Sequence, residues 1–183
     1  MSNENNNQIA GVKDGEVFRI GGMEFIKFPE VDGKVPVVMK DIAFRSRFGD
    51  NNDLRSSEAL KRMEEEILPK IIAAVGEENV CTVKTDLTTL DGLKTYGVME
   101  SKISLPTLDF YRANVEILDR YKPDEWWWLA TADSTKPHYD PVWTVCVSPA
   151  GGIYFHYNVY YGDQSGVRPF CILKSSIFES FAE

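Results

Sequence analysis

Residues 126–173 restrict the possible folds most. The run opens with Trp126-Trp127-Trp128-Leu129, closes with Gly166-Val167-Arg168-Pro169 and Phe170-Cys171-Ile172-Leu173, and holds all four tryptophans and five of the eight tyrosines. Side chains this large and apolar must be covered, because aromatic burial dominates core energetics. Three consecutive tryptophans point in different directions in any regular conformation, so the segment needs partners on more than one face and at least one of the three reaches a surface or groove. Within the run, residues 142–147, 153–157 and 167–173 read as short strands. Ser148-Pro149-Ala150-Gly151-Gly152 reads as a hairpin turn, with proline early and glycine available for a left-handed position.

The amino-terminal part supplies a second β signal. Gly21-Gly22 lies between two apolar-alternating arms in residues 15–28, and a two-residue hairpin turn needs the positive φ that glycine adopts without steric cost. This register sets Ile20 opposite Met23 and Phe18 opposite Phe25 on one face, with Arg19 opposite Glu24 on the other. Residues 35–39 form an expected third strand. Asp50-Asn51-Asn52-Asp53 offers capping chemistry before a helix that carries Leu60, Met63, Ile67 and Ile71 on one stripe, with Pro69 expected to break or kink it near Leu68. A second helix starts near Thr107 with a stripe of Leu108, Tyr111, Val115 and Leu118. The expected architecture is a disordered lead over residues 1–12, then a single α+β domain over 13–183 with an N-terminal β-hairpin, two main helices and a twisted antiparallel sheet.

Bulk properties exclude several classes. At 183 residues the chain can bury a core without metals or disulfides. No stretch approaches the roughly 18 apolar residues of a membrane span. Residues 1–8 are polar and Asn-rich and lack the regions of a secretory signal, from which a cytoplasmic location is expected. The three cysteines Cys81, Cys146 and Cys171 lack C-x-x-C spacing, which argues for reduced, buried thiols. The net charge of −8 is spread along the chain. Direct nucleic-acid binding is thereby disfavoured, whereas a basic protein partner suits the surface.

Trp127-Trp128-Leu129-Ala130-Thr131, Gly151-Gly152-Ile153 and Gly166-Val167-Arg168-Pro169-Phe170-Cys171-Ile172-Leu173 occur in an order that resembles a prokaryotic and phage domain family of unknown function, whose usual pattern is W-W-L-R-S, then a G-containing hairpin, then G-V-R-P-A-L. The resemblance takes in the 15–28 hairpin and Asn52-Asp53-Leu54-Arg55-Ser56. That family is similar to the C-type-lectin-like fold, shared by formylglycine-generating enzymes and by the variable proteins of diversity-generating retroelements. The resemblance implies a C-type-lectin-like sheet. It also implies framework roles for Trp127, Leu129, Gly166 and Arg168, the last pairing its planar fork with a carboxylate or backbone carbonyls. Departures are visible: Ala130-Thr131 stands where the family has Arg-Ser, the W-N-D and E-P-N signatures of calcium-dependent lectins are missing, and no closely spaced cysteine pair lies near the C-terminal end.

No arrangement of residues demands catalysis. His138 and His156, with Asp140 and Asp163, could form a metal site or an acid/base pair, but no short spacing enforces it. No G-x-S-x-G elbow or phosphate-cradling loop occurs. The chain is therefore expected not to be an enzyme and to need no cofactor or metal. Tyr154-Phe155-His156-Tyr157-Asn158-Val159-Tyr160-Tyr161-Gly162-Asp163 is the stronger functional candidate. In a regular strand Tyr154 and His156 share one face and Phe155 and Tyr157 the other, so one aromatic row faces outward. Tyrosine gives rigid amphipathic contact area at low entropic cost. The expected binding residues are Trp126, Trp143, Tyr154, His156, Asn158, Tyr160, Tyr161 and Asp163. The expected function is a non-enzymatic protein-binding module. The phage setting implied by the resemblance sharpens it to a counter-defence inhibitor, anti-CRISPR-like, that occupies the basic surface of a nucleic-acid-handling protein. Two other readings stay open: a glycan-binding module that stacks sugars on Trp143 or Tyr154, and an enzyme of the formylglycine-generating type with a reactive Cys146 or Cys171.

Overall fold

A computed structural model describes residues 8–161 and 165–179. Its first strands, β1 (Val17–Ile20) and β2 (Met23–Lys27), form the Gly-Gly hairpin in the expected register, Phe18 opposite Phe25 and Ile20 opposite Met23. Gly21 and Gly22 take φ of 55° and 75°, the doubly positive conformation of a type I′ turn. Arg19 and Glu24 pair on the outer face at 3.1 Å. Strands β3 (Lys34–Met39), β4 (Phe44–Arg45), β5 (Val80–Cys81), β6 (Val83–Asp86), β7 (Val98–Ser101), β8 (Trp127–Ala132), β9 (Trp143–Val147), β10 (Ile153–Asn158), β11 (Gly166–Val167) and β12 (Phe170–Lys174) follow.

The strands assemble into two five-stranded sheets, ordered β1-β2-β3-β12-β5 and β10-β9-β8-β11-β4, and a β6-β7 ribbon. The pairings are antiparallel except that β11 runs parallel to β8, with Gly166 beside Trp127. The expected continuous strand over 167–173 is in fact two strands in two sheets. Pro169 has no N–H to give a ladder, and the chain crosses between the sheets at Arg168-Pro169. The class is α+β, with twisted antiparallel sheets.

Strand β8 explains the tryptophan run. All six of its residues are buried, so it is covered on both faces. Trp127 and Leu129 join Leu108, Tyr111, Val145 and Val147 in one core, while Trp128 and Ala130 join Phe18, Phe48, Met63 and Cys171 in the other. Each core draws residues from both sheets, which welds the sheets into one body. Trp128 Nε1 donates to the Ser46 carbonyl at 2.7 Å, giving the buried indole the partner it needs.

The first helical stretch comprises α1 (Glu58–Arg62), a wide π-helical turn over Met63–Ile67, and α2 (Leu68–Val75). Ser57 caps it, its hydroxyl accepting from Leu60 N at 3.0 Å. Leu60, Met63, Ile67 and Ile71 are all buried, as their spacing predicts. Pro69 distorts this stretch near Leu68 without ending it, since regular helix resumes at Leu68 after the wide turn. Leu68 N bonds the Met63 carbonyl five residues back, and this widened turn admits the proline ring that a regular turn would exclude. The second stretch splits into α3 (Leu108–Ala113) and α4 (Val115–Leu118) at Asn114, whose φ is −126°. That break turns Val115 out to 36% exposure, so the stripe keeps only Leu108, Tyr111 and Leu118 buried.

Residues 9–11, expected to lie in a disordered lead, are ordered. Ile9–Gly11 form a 3-10 turn, Ile9 is fully buried, and Ile9 N donates to the Ile177 carbonyl at 2.9 Å. A single apolar side chain anchored against the end of the chain outweighs the polar composition around it.

Candidate functional site

Arg168 lies at the crossing point between the sheets and is fully buried. Its Nε donates to the Met39 carbonyl at 3.1 Å, its Nη2 donates to the carbonyls of Lys40 at 2.8 Å and Tyr121 at 3.4 Å, and its guanidinium lies over the Trp127 ring at 4.8 Å. Burial lowers the guanidinium to about 10. Nε and Nη2 of the fork are thus met by backbone carbonyls and its plane by a ring face rather than by a carboxylate, while the buried Nη1 has no hydrogen-bond partner among the described residues, an arrangement a lysine point charge cannot copy. Gly166 is buried beside it. A Cβ there would lie 2.3 Å from Ile42 Cδ1 and 2.8 Å from its Cγ1 and Cγ2, so glycine is needed for close approach. Trp127, Leu129, Gly166 and Arg168 therefore occupy the interior.

The expected binding residues that lie among the described residues gather at the β10 end of the second sheet, on β10, β9 and the segments beside them. Strand β10 is irregular: Tyr154 sits opposite Cys146 and Tyr157 opposite Thr144, three steps against two, so one extra residue is inserted. His156, at φ 59°, takes up the mismatch in a left-handed conformation that non-glycine residues seldom adopt. The bulge overturns the simple alternation. Tyr154 and Tyr157 now share a face and both pack on Trp126, with ring centroids at 4.7 and 5.4 Å, and Tyr157 also meets Tyr161 at 6.1 Å. Phe155 and His156 sit together on the other side, 5.7 Å apart.

Exposure sorts these residues further. Tyr154, Phe155, His156, Tyr160 and Tyr161 are exposed, whereas Trp126, Trp143 and Asn158 are half-buried. Trp126 forms the floor beneath Tyr154 and Tyr157. Asn158 is engaged in the turn, its Oδ1 accepting from Tyr160 N at 2.9 Å. Tyr160 donates its hydroxyl to the Asp50 carbonyl at 3.1 Å, which fixes its ring. Asp163 and Gly162 lie outside the described residues.

The contacts of the two histidines run to other aspartates than Asp140, and Asp163 lies outside the described residues. His156 Nδ1 makes a close contact with Oδ2 of Asp133, whose side chain is only 7% exposed. That oxygen has no hydrogen-bond partner apart from this contact. His138 Nδ1 instead meets Asp91 Oδ2 at 2.7 Å, and the same carboxylate accepts from Ser134 Oγ at 2.6 Å and Thr89 Oγ1 at 2.5 Å. Burial pushes the Asp91 carboxyl up, but the hydrogen bonds from Ser134, Thr89 and His138 prevail and hold it well below the usual range. Asp140 faces Lys136 at 3.9 Å. Among the described residues no group of His, Cys, Asp or Glu is placed to hold a metal.

Asn52 secures the loop that carries both aspartate-bearing contacts. Fully buried, it donates to the carbonyls of Ser134 at 2.7 Å and Trp143 at 2.6 Å and accepts from the Tyr96 hydroxyl at 2.7 Å. Asp133 and Tyr139 are the residues that sequence reasoning missed. Tyr139 is 57% exposed with its ring 6.0 Å from that of His156. Both lie within the aromatic run, but only the β8-β9 pairing brings them beside β10. Phe155, noted only as part of the aromatic strand, takes a central place in this cluster.

Cys146 and Cys171 are buried, and burial pushes each thiol up to about 12. Such groups remain protonated near neutral pH and make poor nucleophiles. Compared with known proteins, the chain matches no family model, no curated protein and no solved structure.

Proposed function

We propose that the chain is a non-enzymatic recognition module that binds another protein through the aromatic edge at β10. One observation carries this reading. Of the eleven large hydrophobic residues exposed among the described residues, six (Tyr139, Ile153, Tyr154, Phe155, Tyr160 and Tyr161) belong to this edge. A concentration of exposed aromatics in one place marks an interaction surface, whereas scattered apolar residues do not. Several of its rings are also supported, since Trp126 packs beneath Tyr154 and Tyr157 and the Asp50 carbonyl accepts from Tyr160. Rigid rings lose little entropy on binding.

The bulge at His156 disrupts the hydrogen-bonding line of an otherwise open edge strand, which disfavours strand addition and favours recognition by side chains. Arg19, Arg45, Arg47, Arg55 and Arg62 are each engaged by carboxylates, so these cations are poorly placed to follow a phosphate backbone. The diffuse acidity suits a basic partner. A nucleic-acid-handling protein is the kind expected, and an inhibitor that covers its basic surface is the corresponding role. The display scaffold implied by the resemblance to C-type-lectin-like domains agrees with this reading.

Affinity capture from host lysate tests it, run with and without nuclease, for the wild-type chain and a Phe155→Ser/Tyr161→Ser variant. The expected result is a protein partner that survives nuclease treatment and is lost with the variant. Absence of a stable protein partner in both arms overturns the reading.

A further inference from the structure

We infer that the ring cluster around His156 is an anchor site for an arginine side chain, so that the partner presents an arginine-bearing basic segment to this edge. The inference rests on the protein-recognition reading above and names the chemistry of its partner. Three rings surround the imidazole: Trp143 at 5.7 Å, Phe155 at 5.7 Å and Tyr139 at 6.0 Å. Tyr139 and Phe155 are more than half exposed, as is the His156 side chain at 53%. The cluster is therefore a surface platform rather than a piece of core.

Its polar centre is built from the interior. The buried Asp133 carboxylate engages Nδ1 of His156, which sets the ring orientation and leaves Nε2 on the opposite side of the ring. Asp133 is itself held in place, its N–H donating to the Trp143 carbonyl at 3.1 Å, the carbonyl that also accepts from Asn52. The left-handed backbone at His156 is a local cost of the kind that persists only where surrounding contacts impose it. In return, His156 and Phe155 are turned to the same side as Tyr139 and Trp143.

The charge pattern selects the occupant. Between residues 131 and 167, Lys136 is the only lysine or arginine, and it faces Asp140. Asp133 lies behind His156, and Asp91 lies beside His138. An anionic ligand would thus meet carboxylates, and the one lysine of this segment is already engaged. A purely apolar ligand would cover the His156-Asp133 pair without supplying a hydrogen bond, which is unfavourable. A guanidinium satisfies every feature: its plane stacks on rings, its N–H groups donate to an imidazole nitrogen, and its charge is drawn by the carboxylates. Lysine fits less well, because the ammonium is compact, strongly hydrated and cannot stack.

The test uses the whole chain and three capped octapeptides in which glycine alternates with arginine, lysine or glutamate, titrated while following tryptophan fluorescence and peptide anisotropy. The arginine peptide is expected to bind most tightly. Its affinity should fall roughly two- to fivefold for each ring removed, in Phe155→Ala and Tyr139→Ala, as expected for exposed cation-π contacts. His156→Asn, which tolerates the left-handed backbone and can still donate to Asp133, should weaken it as well, and Val31→Ala on the distant hairpin loop should leave it unchanged. Equal binding of arginine and lysine peptides, or an affinity insensitive to the three site variants, overturns the inference. If no arginine peptide binds while a lysate partner is still captured through the edge, the arginine assignment fails and the recognition reading stands. Loss of both sinks the two together.

Discussion

Replacing Arg168 tests the central structural argument, that a buried cation with no carboxylate partner stabilises this fold because it joins the two sheets. Lowering its guanidinium from 12.5 to about 10 corresponds to roughly 3 kcal/mol for burying the charge. Against that cost, removing the guanidinium takes donors from the Met39 and Lys40 carbonyls, at about 1–3 kcal/mol each when such groups stay buried. It also ends the contact with the Trp127 ring, at about 1–2 kcal/mol. Alanine further loses two buried methylenes, about 2 kcal/mol. Weighing these, Arg168→Ala should destabilise by about 4 kcal/mol and Arg168→Met, which keeps the stem, by about 2 kcal/mol. For a chain of this size the alanine variant should melt about 10 °C lower. Equilibrium urea unfolding followed by tryptophan fluorescence and circular dichroism measures both. An Arg168→Met protein as stable as wild type, or more so, would show that the desolvation cost exceeds the bridging gain and would refute the reasoning.

Gly166→Ala should destabilise by about 2 kcal/mol through overpacking against Ile42, and adding Ile42→Ala, which removes all three crowding atoms, should recover part of the loss. Additive losses in the same unfolding assay would contradict the close-approach argument. The Asp91 carboxyl is held below its unfolded value, so its contribution is present above pH about 4 and is lost as pH falls through and below that point. The slope of unfolding free energy between about pH 5 and pH 2.5 should therefore be shallower in Asp91→Asn. Matching slopes would show that the Ser134, Thr89 and His138 contacts do not act on this group. In the native chain a thiol reagent should modify the partly exposed Cys81 first, with Cys146 and Cys171 reacting only on unfolding. Rapid native labelling of either buried thiol would revive the reading that makes it a catalytic thiolate.

Local chemistry made much of the framework legible. The Gly21-Gly22 turn dictated a register in which Arg19 meets Glu24, because hairpin geometry depends only on residues in contact through the chain. The Leu60, Met63, Ile67 and Ile71 stripe survived for the same reason, since helical periodicity is a local property. Pro69 disturbs the helix near Leu68 as its chemistry predicts, but the form of the disturbance, a π-helical turn rather than a chain break, depends on the packing around it. The order at Ile9 is not legible in the sequence, because a lone apolar residue in a polar stretch gives no hint of its contact with Ile177. The candidate edge was located by its aromatic composition, but its faces were assigned wrongly, since strand alternation holds only without a bulge.

The sequence by itself determined the α+β class, the hairpin register, the buried stripe of the first helix and the concentration of aromatic side chains between residues 126 and 161. Only the tertiary structure decided that β8 lies between two cores, that Arg168 is met by the carbonyls of Met39, Lys40 and Tyr121 rather than by an acid, and that His156 is backed by Asp133 while His138 is backed by Asp91. The physical reason is range. Turns, caps and helical stripes depend on residues a few positions apart, whereas the partner of a buried charge or an imidazole is set by which strands happen to pair, and that follows from the packing of the whole chain.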